Sequence, residues 1–147
     1  MLSISGAAVV LWVHVIAACV WIGGQATVAL LIPLLRGQGA LARLAGQRYQ
    51  MVAWPAYAIL VITGLANVSN AGLRWSTLLD SPPGRTLAVK LGLVAVSGLA
   101  AGVHAFLQAP RRTDQVAGRP VASAALGSLS LLTAVLAALY GVAIASA

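Results

Sequence analysis

The chain has 147 residues, of which 61% are hydrophobic and only 7% charged, with a mean hydropathy of +0.96. That composition lies outside the soluble range and requires lipid as solvent, and the length suits one membrane domain over residues 1–147 with no separate soluble part. A net charge of +7 would suggest nucleic acid in a soluble protein; here the basic residues sit between apolar runs, where they orient the chain in a membrane, and nucleic acid is excluded as a partner.

A bilayer core of about 30 Å takes roughly 20 helical residues to cross. Four apolar runs, about 7–35, 51–68, 87–109 and 121–147, are of that order. They lack the strict alternation of a membrane barrel strand and are dominated by Ala, Leu and Gly. The expected fold is therefore all-α, an up-down bundle of four transmembrane helices in the lipid bilayer. No basic segment precedes the first run, which also outlasts a signal-peptide core, so it reads as a retained helix. Arg36, Arg43 and Arg48 fall after the first run and Arg111, Arg112 and Arg119 after the third, whereas Arg74 and Arg85 stand alone between the second and third. The positive-inside rule then puts the first and third loops in the cytoplasm and both termini outside, in a multi-pass protein of the inner (plasma) membrane.

On the first run, at about 100° per residue, Trp21 and Gln25 fall about 20° to either side of His14, so the three share one stripe. Cys19 points elsewhere and reads as a small buried hydrophobe; as the only cysteine it forms no intramolecular disulfide. The second run ends near Asn67 and Asn70. The third opens on Lys90 and repeats polar residues at Ser97 and His104, a second stripe. Gly98 and Gly102 have the spacing that lets helices approach closely, either within the bundle or at a homodimer seam. The fourth run, with Ser123, Ser128, Ser130 and Thr133 among Ala and Leu, reads as structural closure.

An ionisable group in the hydrocarbon region costs several kcal/mol and marks function by default, which singles out His14, Lys90 and His104. With Arg36 at the inner interface, a rise of about 1.5 Å per residue puts His14 about 33 Å away at the outer edge, level with Lys90. His104 falls near the inner edge, about 20 Å from His14 in depth, so a single haem held by both histidines is disfavoured. The candidate site is an outer cluster of His14 and Lys90, with Trp12, Asn67, Asn70 and Trp75 available to it. Against that stands the reading in which Lys90 snorkels, Trp12 and Trp75 form an aromatic belt and Asn70 caps a helix. His104 is an inner ligand, a proton carrier, or a histidine hydrogen-bonded to Tyr49 or Gln108.

Met51 is the only internal methionine, so a methionine-lined copper path cannot be built from this chain. The two acids, Asp80 and Asp114, lie in different loops, which excludes paired-carboxylate catalysis. The sequence has no Walker loop, CxxC or CxxCH, so nucleotide binding and covalent c-type haem lack a foothold.

The run His14-Val-Ile-Ala-Ala-Cys-Val-Trp21-Ile-Gly-Gly24, then Thr63-Gly-Leu-Ala-Asn67, then Gly84-Arg-Thr-Leu-Ala-Val-Lys90, resembles the copper resistance protein D (CopD) family over roughly residues 8–112. The resemblance implies an inner-membrane protein of copper uptake or resistance with a periplasmic copper protein as partner, and it carries over to His14, Trp21, Gly24, Gly84, Arg85 and Lys90. More distantly, His14, Trp21 and Lys90 are similar to the pattern of HemJ-type protoporphyrinogen oxidases, which implies haem b on a first-helix histidine. Three expectations follow. Copper is bound or passed at an outward-facing His14/Lys90 site, with Trp21, Gln25, Ser97, Arg85 and Asn67 as supporting polar or packing residues. Alternatively, His14 is the axial ligand of a haem b redox protein, or the chain is a structural subunit of a larger membrane complex. Imidazole serves copper and haem alike, so the residues leave that choice open.

Overall fold

Helix starts follow from local capping chemistry. In a computed structural model that describes residues 5–35, 37–70, 76, 79–108 and 119–145, Ser5 accepts a hydrogen bond from the Ala8 amide at 3.2 Å and opens α1 (Gly6–Leu31). Ser81 plays the same part for α3 (Pro82–Gln108), accepting from the Gly84 amide at 3.3 Å. Pro82 and Pro83 occupy its first turn, where their missing N–H groups cost nothing. This cap starts α3 five residues ahead of the apolar run at Leu87.

Pro33 gives no N–H to the ladder, and the chain leaves α1 in turns over 32–35 instead of continuing to Leu35. Gly37, at φ 88°, takes the left-handed conformation that lets the chain reverse. It then enters α2 (Gly39–Asn70), twelve residues ahead of the apolar run at Met51. Arg43 and Arg48, expected in a loop, therefore lie on a helix. Ala40, Leu41, Ala42, Leu44 and Ala45 around them are strong helix formers, and hydropathy overlooks such a segment because of its charges. Pro55 lies inside α2 and deprives the Met51 carbonyl of its usual donor. α4 (Arg119–Ala145) completes the set.

All four helices contain stretches long and apolar enough to cross a membrane, and no strand occurs among the described residues. Large apolar side chains such as Leu30, Ile62, Leu99 and Val142 stand exposed on every helix. In water this would be an aggregating surface, whereas lipid solvates it.

The chain divides into two compact units, Met1–Ser76 and Thr77–Ala147. α1 packs on α2 in the first, and α3 on α4 in the second, each pair antiparallel. In the first hairpin the core is built on Trp21, 2% exposed, with Ala17, Ala53, Ala56 and Leu60. The Trp21 ring lies 4.6 Å from Tyr57 and 5.9 Å from Trp54 between centroids. In the second hairpin the most buried side chains are small and polar: Ser97 is 0% and Ser130 1% exposed. Ser97 Oγ donates to the Ser130 carbonyl at 2.8 Å and Ser130 Oγ donates to the Ser97 carbonyl at 2.9 Å. This reciprocal pair requires the two backbones to lie close together.

Candidate functional site

In the first hairpin His14 is partly buried toward the end remote from the connecting turn, and its Nδ1 lies 3.0 Å from Thr63 Oγ1. The Thr63 hydroxyl has one proton, which it donates to the Ile59 carbonyl at 2.6 Å. It therefore accepts from His14. Nδ1 therefore carries a proton, the arrangement by which metal-ligating histidines are oriented. A Cβ on Gly64 would come within 3.2 Å of His14 Cε1, so the absence of a side chain there is what lets the ring settle on the α2 backbone.

Trp21 anchors the aromatic cluster, and Tyr49 Oη donates to the Trp21 carbonyl at 3.3 Å. The Tyr49 ring presses so closely on Gly24 that a Cβ there would collide with it. Gln25 Nε2 is buried and has no hydrogen-bond partner among the described residues. Asn67 is half-buried one turn beyond Thr63, while Asn70 and Trp12 are exposed. Cys19 is exposed, not buried as expected. Five residues after His14 it lies about 140° from the stripe, on the face turned away from α2. Trp75, with Arg36, Arg74, Arg111, Arg112 and Asp114, lies outside the described residues.

In the second hairpin the stripe of Lys90, Ser97 and His104 meets α4 along its length. The Lys90 ammonium lies over Gly141, where a Cβ would stand 2.8 Å from Nζ. No ion pair engages Lys90 among the described residues. His104 Nδ1 lies 2.8 Å from the Ser123 carbonyl and 3.1 Å from Ser123 Oγ. A carbonyl only accepts, so here too Nδ1 carries a proton. Gln108 Nε2 donates to Ser123 Oγ at 2.8 Å. The expected partners of His104 thus change: Tyr49 bonds within its own hairpin, and Gln108 reaches the histidine only through Ser123. Gly84 is buried in the first turn of α3, and the Arg85 side chain is exposed. His14 and Lys90 belong to different hairpins, and each is held by its own partner helix.

Among the described residues no group of three or more His, Cys, Asp or Glu could hold a metal ion. Each hairpin holds one imidazole, oriented through Nδ1 by its partner helix. A family model described as copper resistance protein D matches residues 43–147. The chain belongs to this family. The matched residues take in most of α2 and all of α3 and α4, with Thr63, Asn67, Gly84, Arg85, Lys90, Ser97 and His104. They begin after His14, Trp21 and Gly24, so the α1 pattern that suggested the CopD family lies outside the match, while α4, beyond the expected span, lies inside it. No curated protein and no solved structure matches the chain.

Thr63 was visible only as part of a motif, and Ser123 only as one of several serines on a plain helix. Their role as histidine partners depends on the register between antiparallel helices, which the periodicity of one helix does not contain.

Proposed function

We propose that this CopD-family membrane protein handles copper as cargo, with His14 as the residue that takes the ion at the outer face of the inner membrane. The observation that carries the reading is the chain of hydrogen bonds from His14 Nδ1 to Thr63 Oγ1 to the Ile59 carbonyl. It orients the imidazole in the manner of metal-ligating histidines, whose second ring nitrogen donates to a fixed acceptor. One imidazole makes a transfer site rather than a storage site. The remaining ligands come with the ion, from water or from a periplasmic copper protein that delivers it. Lys90, beside Gly141, anchors its own hairpin toward the outer interface.

The test is metal analysis and an absorption spectrum, oxidised and dithionite-reduced, on the same detergent-purified sample. Copper without a Soret band is the expected result, and His14→Asn should lower the copper bound. The asparagine amide can still donate to Thr63 but offers no nitrogen lone pair in place of Nε2. A Soret band that shifts on reduction would replace copper by haem b on His14. A preparation with neither copper nor porphyrin would leave a structural subunit of a larger membrane complex.

A further inference from the structure

α2 is longer than a membrane needs. Its 32 residues span about 48 Å at about 1.5 Å per residue, against a hydrocarbon core of about 30 Å. The excess falls on residues 39–50, which precede the apolar run at Met51. At about 100° per residue, Arg43, Gln47, Leu44, Arg48 and Leu41 share one arc of about 160°, and all five are exposed. Ala42, Ala45, Gly46, Tyr49 and Gln50 take the opposite arc and are half-buried. Tyr49 fastens the segment to α1, through the Trp21 carbonyl and its close approach to Gly24. The two arginines are thus carried on a braced helix, about 7.5 Å apart along its axis.

Nothing in the first hairpin neutralises them. Residues 1–76 contain no Asp or Glu, and no ion pair engages Arg43 or Arg48 among the described residues. The whole chain sets nine Lys and Arg against two acids, so most of its counter-charge comes from outside. A soluble acidic partner would suit the arginines but not their surroundings. Leu41 and Leu44 share their arc, and Leu30, Leu31, Ile32 and Leu34 stand exposed where the chain passes from α1 to α2. Leucines exposed beside arginines suit the boundary between acyl chains and headgroups, where the leucines enter hydrocarbon and the arginine stems snorkel toward phosphate. A zwitterionic lipid brings an ammonium group of its own, so a net-negative lipid is what supplies the missing charge.

We propose that the start of α2 is a binding site for anionic phospholipid, in which Arg43 and Arg48 grip headgroup phosphate and Gln47 adds a neutral donor between them. Held in this way, the segment fixes the depth of the first hairpin in the bilayer. The site is independent of the copper reading.

The experiment is native mass spectrometry of the full-length protein in detergent micelles, titrated separately with phosphatidylglycerol and phosphatidylcholine. Phosphatidylglycerol should bind at least about tenfold more tightly, and equal affinities would overturn the site. Its affinity should fall about fivefold in Arg43→Gln or Arg48→Gln and about thirtyfold in the double variant, the factors for one and two basic residues at an anionic surface. Unchanged binding by the double variant would sink the proposal. Arg85→Gln removes one exposed charge from α3 and should alter the affinity less than about twofold. A loss as large as that of Arg48→Gln would mean diffuse attraction and no site. An acidic polypeptide that co-purifies with the unmutated protein and leaves in the double variant, with lipid binding unaltered, would put a protein in the lipid's place. Should the double variant fail to fold, the unmutated protein is reconstituted with phosphatidylglycerol carrying a photoreactive headgroup. Cross-links should then map to residues 39–51, and cross-links confined to other segments would overturn the assignment.

Discussion

The first hairpin is held by bulk and the second by closeness. Between α1 and α2 the contact is made by interlocked rings, Trp21 against Trp54 and Tyr57, with Trp54 and Tyr57 edge to face at 84°. Between α3 and α4 it is made by Ser97 and Ser130, each bonding the other's backbone, with Gly98, Ala100, Ala134 and Ala137 buried beside them. Lipid tails are as apolar as leucine, so helices gain little by hiding hydrophobic surface from them. What remains is van der Waals fit and interhelical hydrogen bonding, and each hairpin relies mainly on one of the two. In both hairpins a histidine ring lies against a glycine of the partner helix.

The largest effect should come from emptying the aromatic contact. Trp21→Ala removes the most buried large side chain of the first hairpin and should cost about 3–5 kcal/mol, the usual range for an aromatic truncation in a packed core. Unfolding in mixed micelles by increasing SDS, followed by circular dichroism, measures it. Hydrogen exchange in α3 and α4 should be unchanged, and equal loss of protection in both hairpins would contradict the idea that each is built separately. The converse change is Ser97→Leu, which inserts bulk where the second hairpin has room for none. It should cost about 1–3 kcal/mol by overpacking and abolish the reciprocal serine bonds. In the same micelle assay, tolerance of that leucine would show that the close approach of α3 and α4 is not what holds them.

The histidine seats give a paired prediction. A methyl group at Gly64 would stand 3.2 Å from the His14 ring, tighter than ordinary contact, whereas one at Gly127 would stand 3.7 Å from the His104 ring, an ordinary contact. Gly64→Ala should therefore tilt His14 off Thr63 and weaken its copper affinity about tenfold, as loss of an outer-sphere partner commonly does. Gly127→Ala should leave the His104 ring in place on Ser123, since nothing has to move. Imidazole nitrogen chemical shifts in detergent, with competitive chelator titration for His14, separate the two. Equal changes at both rings would mean that they are held by something other than their seats.

The four helices were legible because a run of about 20 apolar residues matches the thickness of a bilayer core and exceeds what a buried strand needs. The beginning of α2 was not, since Arg43 and Arg48 interrupt the apolar signal without interrupting the helix. The stripes through His14 and Trp21, and through Lys90, Ser97 and His104, follow from the angular period alone, and they are the faces that meet the partner helices. Periodicity does not show which residue stands opposite, so Thr63, Ser123 and Ser130 emerged only with the structure. Cys19 shows the same limit from the other side. The arithmetic that placed it off the stripe was sound, but a small residue off the face that packs on α2 is exposed rather than buried in its hairpin.

The smallest effect is the most discriminating for the second hairpin. Ser97→Ala deletes the bond from Ser97 Oγ to the Ser130 carbonyl, but that carbonyl lies inside α4 and keeps its place in the helix's own hydrogen-bond ladder, so no buried acceptor is stranded. Ser130 Oγ keeps its own acceptor, because the Ser97 carbonyl belongs to the backbone and survives the substitution. The cost should therefore be near ~0.6 kcal/mol, the mean for a hydrogen bond between membrane helices. Ser130→Ala should cost about as much by the mirror argument. If the bonds act independently, the double variant should show the sum of the two losses in SDS unfolding, with a coupling energy below about 0.5 kcal/mol. A coupling well above that value would mean that the direct contact between the two hydroxyls at 3.2 Å carries energy of its own, and that the pair acts as one unit.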